Sequence, residues 1–204
     1  MSGTATKAAA PRFDKQRRER ILEAAAHLIA ERGLHSVRVS DIAKAIGTTS
    51  GTVHYYFPAK DDVLDSAINW AVEAAFARQG ADLRSLASAR DRLLRLTELQ
   101  LPTTPQVREE WSIWLQYWTE ASLHPSLRET HAVHFERWHA TVRSIVERGQ
   151  RQGEFGDLDA GLFTDQFSAL VNGAGTQVLA GTMTVERMRE VVTGFIDAML
   201  DVRA

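Results

Sequence analysis

Residues 39–60 read VSDIAKAIGTTSGTVHYYFPAK. Val39 to Ile46 has the period of a short helix, with Ile42 and Ile46 turned inward, and Gly47 stands where a tight turn leaves it. Thr49 is placed as the N-cap of a second short helix, Ser50 to Phe57, which Pro58 ends. Two short helices joined at a glycine form a helix-turn-helix. Ala43 is small where the two helices must cross, and Ile42, Ile46 and Val53 fill the crossing. Thr49, Ser50, Thr52, His54 and Tyr55 are left facing outward. Short hydroxyls and flat amphipathic rings suit the phosphates and base edges of a major groove. Lys60 opens the next helix and joins a cation to free backbone N–H groups, a phosphate site by two mechanisms. The run His54-Tyr55-Tyr56-Phe57 is too long for all four rings to be buried on one short helix.

Outward from this block the chain is helical throughout. Ile21, Ala25, Leu28 and Ile29 mark one face of a helix that runs from Phe13 and stops at Gly33. The fourth helix is expected from Lys60 to about Gly80, and the fifth from Ala81 to Leu101, closed by Pro102 and Pro105. Val107–Leu123, Leu127–Gly153, Asp157–Gly181 and Val185–Val202 follow, the last capped by Thr184. No segment alternates as a strand, and no Asn-Gly or Asp-Gly hairpin turn occurs. The predicted fold class is all-α with about nine helices. Residues 1–11, small and polar, are expected to be a disordered arm.

Composition narrows the function. The 204 residues carry 24 Lys+Arg, 26 Asp+Glu and no cysteine, which excludes a disulfide framework, a thiolate metal site and a cysteine nucleophile. Residues 1–57 hold nine Lys+Arg against five Asp+Glu, and the remainder fifteen against twenty-one. The positive excess lies with the helix-turn-helix, and Arg12, Lys15, Arg17, Arg18 and Arg20 just upstream can reach flanking phosphates. No apolar run of membrane-spanning length occurs, and Met1–Pro11 lacks the apolar stretch of a secretory signal. A cytoplasmic protein with no membrane partner is expected. Neither a Gly-rich phosphate loop nor a GxSxG elbow is present, so neither an enzyme nor a cofactor is expected.

Residues 13–64 resemble the DNA-binding domain of the TetR family of bacterial transcriptional regulators. The matching features are Glu31-Arg32-Gly33, Asp41-Ile42-Ala43, Gly47-Thr48-Thr49, and above all Gly51-Thr52-Val53-His54-Tyr55-Tyr56-Phe57 followed by Lys60. The resemblance implies a DNA-binding domain over residues 12–60 and a ligand-binding and dimerisation domain over 61–204. It implies DNA contacts from Ser40, Thr49, Ser50, Gly51, Thr52, His54, Tyr55 and Lys60, to which Arg17 is added from the basic cluster. His54 stands where the family usually has an aromatic such as Tyr. Arg38 stands where a Thr or Ser usually caps the second helix, leaving Ser36 or Ser40 as substitutes. The function implied is that of a dimeric repressor, bound to a palindromic double-stranded operator and released by a small-molecule effector.

In the C-terminal two-thirds, Trp111, Trp114, Leu115 and Trp118 recur at i, i+3, i+4 and i+7, so three indoles share a helix face. This face is either a tryptophan-rich core or one wall of a pocket. As a pocket it would comprise Trp111, Trp114, Tyr117 and Trp118, with Phe135 and Trp138 from the following helix and Phe167 and Asn172 from the next. The segment more loosely resembles the C-terminal domain of the subgroup that includes the choline-responsive repressor of betaine synthesis. Such an aromatic box near Glu110 or Glu120 would suit a cationic ligand. His131 and His134, three apart with His124 near, have a spacing that can hold a metal but is commoner in hydrogen-bonded histidines; no metal is expected. The last two helices carry apolar stripes (Val185, Met188, Val192, Phe195, Ile196 and Met199; Phe167, Leu170, Val171 and Ala174), expected to form a homodimer seam as a four-helix bundle.

Overall fold

The structure is a computed structural model that describes residues 9–200, without the side chains of residues 9–13 and Ser126. Residues 1–8 of the expected arm and the side chain of Arg12 therefore lie outside the described residues. Among the described residues there are nine α-helices and no strand: α1 Ala9–Arg32, α2 Val39–Ala45, α3 Ser50–Tyr56, α4 Lys60–Arg84, α5 Ala89–Gln100, α6 Pro105–Leu123, α7 Pro125–Gln152, α8 Ala160–Leu179 and α9 Val185–Leu200. A single 3-10 turn, Leu34–Ser36, lies between α1 and α2. No helix among the described residues is long and apolar enough to cross a membrane.

Several boundaries differ from expectation for physical reasons. Ala9, Ala10 and Pro11, assigned to the arm, form the first turn of α1; alanine is the strongest helix former, and proline is tolerated in a first turn, where its missing N–H has no partner to lose. α4 runs through Gly80 to Arg84, since a glycine inside a helix costs only about 1 kcal/mol relative to alanine. α5 then starts at Ala89, because Ser88 caps it by accepting from the Asp91 backbone N–H at 3.2 Å. Asp159 sets the start of α8 in the same way, accepting from Gly161 and Leu162.

The chain divides within α4 into two compact units, at Glu73/Ala74. In the first, α1, α2 and α3 pack on one another, and Ile21, Ile29, Val37, Ile42, Val53 and Ile68 are buried completely or nearly so. In the second, the core is built from Leu93 and Leu96 of α5, Trp111 of α6, Val142 and Val146 of α7, Phe163, Phe167 and Val171 of α8, and Met188, Val192 and Ile196 of α9. This corrects the expected seam: Phe167, Val171, Ala174, Met188, Val192 and Ile196 fill their own unit rather than a subunit boundary. A stripe of period 3.6 states only that a helix has an apolar face, not which body covers it.

α6 approaches α8 closely in this core. The Trp111 indole lies so near Gly175 that a Cβ there would stand 2.4 Å from the ring. The indole N–H donates to the Gln100 carbonyl at 2.7 Å, which satisfies the one polar atom of a side chain left only 5% exposed. Gly175→Ala is expected to destabilise the protein by about 3 kcal/mol, the upper range for overpacking, measured as a lowered urea midpoint at unchanged m-value.

Candidate functional site

The first unit shows how its sequence shapes the helix-turn-helix. α2 ends in a Schellman motif: the Gly47 N–H donates to Lys44 O at 3.2 Å and the Thr48 N–H to Ala43 O at 2.8 Å. The motif needs a left-handed residue, and Gly47 has φ 68°. α3 then begins at Thr49, whose hydroxyl accepts from the Thr52 N–H at 3.2 Å and lies 3.1 Å from the Thr52 hydroxyl. At the start of α2, Arg38 occupies the cap position; neither Ser36 nor Ser40 does. An arginine side chain has no acceptor, so only the reverse half of a capping box forms, with Asp41 accepting from the Arg38 N–H at 3.2 Å.

The four consecutive aromatics divide as their number requires. Phe57 is buried, under the Arg18 guanidinium at 4.9 Å. Tyr56 is half-buried and donates its phenol to Asp14 of α1 at 2.9 Å. That hydrogen bond, with the neighbouring carboxylate charge, raises the Tyr56 pKa above the ordinary phenol value. Tyr55 is 77% exposed and stands edge-on to Tyr56 at 5.1 Å. His54 is exposed and donates from Nδ1 to the Pro58 carbonyl at 3.2 Å.

Ser40, Thr49 and Gly51 are also exposed, whereas Ser50, Thr52 and Lys60 are half-buried. Lys60 donates to the His35 carbonyl at 3.3 Å, and Arg17 to the Thr48 hydroxyl at 3.4 Å. Sequence reasoning missed the Tyr56–Asp14 bond and the 3.4 Å bond from Arg20 to the Ile46 carbonyl. Both tie α1 to the helix-turn-helix across long sequence separations that no local pattern announces.

In the second unit the three indoles part company. Trp111 belongs to the core. Trp138 joins it too, donating to Ser168 Oγ at 2.8 Å and stacking on the fully buried Phe167 at 6.3 Å. Asn172 is half-buried on α8. Trp114, Tyr117 and Trp118 turn toward α7, where sequence reasoning had not foreseen the residue they meet. His131 lies 5.1 Å from Trp114, 5.4 Å from Tyr117, 6.1 Å from Trp118 and 6.2 Å from Phe135, ring centre to ring centre. It is stacked on both indoles and the phenyl and edge-on to the phenol. His134 faces Tyr117 at 6.3 Å, and His139 packs on Phe135 at 4.2 Å. The signal was available as spacing: residues 131, 134, 135, 138 and 139 make one helix face.

Burial, reinforced by His134, pushes the His131 pKa below the ordinary imidazole value. Glu110 donates no free charge, because Arg78 holds it at 2.6 Å; burial raises its pKa even so, against the pull of that arginine. Glu120 is buried with its carboxylate 3.3 Å from His124. Among the described residues, no group of three or more acidic or histidine side chains is arranged to hold a metal.

Comparison with known proteins follows the same division. Residues 21–67 match the model of bacterial regulatory proteins of the tetR family, and residues 89–201 that of the BetI-type transcriptional repressor C-terminal domain. The chain is 25% identical over 193 residues to the HTH-type transcriptional regulator BetI of Stenotrophomonas maltophilia, covering 92% of this chain and 95% of that one. A match to the fatty acid metabolism regulator protein of Bacillus subtilis, at 37% identity, covers 39% of this chain and only 42% of that protein. A crystal structure of a protein from Saccharomonospora viridis, described as a transcriptional regulator in complex with choline, is 46% identical with a TM-score of 0.86, covering 91% of this chain and 98% of that one.

Removing the α3 cap by Thr49→Ala is expected to lower stability by about 1 kcal/mol, with the loss visible in chemical denaturation followed by circular dichroism.

Proposed function

We propose, because this chain belongs to the TetR family of bacterial regulatory proteins and carries a BetI-type repressor domain, that it is a dimeric cytoplasmic repressor released from a palindromic operator by choline or a similar small quaternary ammonium ion. The observation that carries the effector assignment is the ring cluster of Trp114, Tyr117, Trp118 and Phe135 on α6 and α7. Aromatic faces attract a cation through their quadrupoles, most strongly where water is excluded. A quaternary ammonium has no N–H and leaves no donor unsatisfied in such a site. The choline complex of the 46% identical relative supports the same chemistry.

On this reading α3 enters the major groove. Tyr55, Thr49 and Gly51 present the exposed surface that meets DNA, with Ser40, Ser50, Thr52 and His54 beside them. Arg17 and Lys60 address phosphates, exchanging neutral acceptors within the chain for anionic ones. Two such units one helical turn apart, about 34 Å, would span a palindrome. The dimer seam falls on the outer faces of α8 and α9, where Leu162, Ala169, Gly173, Gly194 and Ala198 are exposed. No atom lies within 4 Å of where a Cβ would stand at Gly173 or Gly194, which leaves room for a partner helix. Glu110, one turn before Trp114, holds Arg78 of α4, so movement of α6 on effector binding can reach the helix that continues into the DNA-binding unit. The coupling required is about 1–3 kcal/mol.

Fluorescence anisotropy on DNA from upstream of the gene, repeated at several salt concentrations, tests the reading. Tyr55→Ala is expected to weaken operator binding by about tenfold or more. Lys60→Ala is expected to reduce the salt slope by about one. Choline should release wild-type protein, whereas Trp114→Ala should bind DNA normally and lose the response. Release by fatty acyl compounds or polyamines instead of choline would replace the effector assignment; failure to prefer the native duplex at any salt would remove the operator assignment.

A further inference from the structure

The quaternary ammonium reading, on which this inference rests, raises a question about its own site, because the place where four aromatic rings converge already holds a side chain. We propose that His131 is a placeholder for the effector: its imidazole fills the cage of Trp114, Tyr117, Trp118 and Phe135 in the resting protein, and the cationic headgroup binds by displacing it toward solvent.

Three observations support this. His131 is the hub of the cluster, with ring-to-ring distances of 5.1–6.2 Å to every one of the four aromatics, while those rings stand at least 6.3 Å from one another wherever they pair. Its Nε2 is buried and has no hydrogen-bond partner. A buried polar nitrogen without a partner is an uncompensated desolvation cost, recovered when the ring turns out into water. The side chain as a whole is only half-buried, so a change of χ1 rotamer, without backbone movement, carries the ring outward.

The physical logic is one of exchange. The imidazole keeps the aromatic faces covered and dry when no effector is present, which avoids an open apolar cavity. It binds them more weakly than a cation does, since the groups around it favour the neutral ring: burial and the neighbouring His134 both oppose its protonation. A trimethylammonium group has no proton to lose and retains its full charge in the cage. The placeholder also sets the threshold of the response, because apparent affinity falls by the fraction of molecules whose cage is open.

The test is a choline titration of wild type, His131→Ala and His131→Phe by tryptophan fluorescence and calorimetry, with thermal melts to confirm folding. If the cage is open in about a tenth of wild-type molecules, His131→Ala should bind choline up to about tenfold more tightly. His131→Phe, whose ring has nothing to gain from water, should bind more weakly than wild type. Weaker binding by a folded His131→Ala would overturn the proposal, because it would make His131 a wall of the site. If the alanine variant does not fold, proton NMR of the wild-type imidazole decides. Choline should move its ring protons downfield, out of the shielding of the stacked indoles; unchanged shifts at saturation would mean that the ring stays, and the proposal fails. Absence of choline binding in all three proteins, with operator binding intact, would remove the effector reading and the placeholder with it. Binding to wild type without displacement of His131 would remove the placeholder alone.

Discussion

The seating of Trp111 against Gly175 governs the second unit. Only a residue without a side chain lets α8 come close enough for the indole to lie on its backbone, and the Nε1–Gln100 bond ties the same ring to the end of α5. Once Trp111 is fixed, the rotation of α6 about its axis is fixed too. Trp114 and Trp118, three and seven residues on, then face α7, with Trp114 also packed against the edge of the core. The first of the three indoles therefore acts as a structural anchor, and the two that follow it face the rings of α7.

The first unit obeys a different constraint, the need to turn a chain within four residues while leaving one helix uncovered. Gly47 closes α2 and Thr49 opens α3, so the turn pairs backbone groups of its own, while Arg20 of α1 donates to the Ile46 carbonyl. Val53 and Phe57 are the buried side of α3. Tyr56 is fastened to α1 through Asp14, which leaves the outer surface of a seven-residue helix free of packing duties. A helix too short to be stable alone is held by its caps and one buried edge.

Legibility in the sequence tracks how local each interaction is. The helix-turn-helix was readable almost to the residue because its determinants, Gly47, Thr49 and Pro58, act within one turn of themselves. The boundary between α4 and α5 was misread because a glycine in a long helix carries little weight against a good downstream cap such as Ser88. The apolar stripes of α8 and α9 were real, but periodicity does not say whether an apolar face meets its own chain or another; Met188, Val192 and Ile196 turned out to be core. The aromatic site was half visible. Trp114, Tyr117 and Trp118 could be found by spacing on α6, whereas the position of His131 among them depends on how α7 lies across α6, a tertiary fact with no local signature.

The charges around the ring cluster bear on the kind of cation it would select. A primary ammonium brings N–H donors, and burying them without acceptors is costly. The two carboxylates that sequence reasoning placed near the rings are already engaged, Glu110 with Arg78 and Glu120 with His124. Freeing Glu110 would strand the Arg78 guanidinium, whose Nε is already buried without a partner. A cation with no N–H avoids both penalties and takes from the site only what the rings supply. On the proposed reading, then, selectivity for a quaternary ammonium over a simple amine would not need a dedicated recognition group. It would follow from aromatic faces combined with carboxylates that are committed elsewhere, and the Arg78–Glu110 pair that withholds one of them also ties the effector helix to α4.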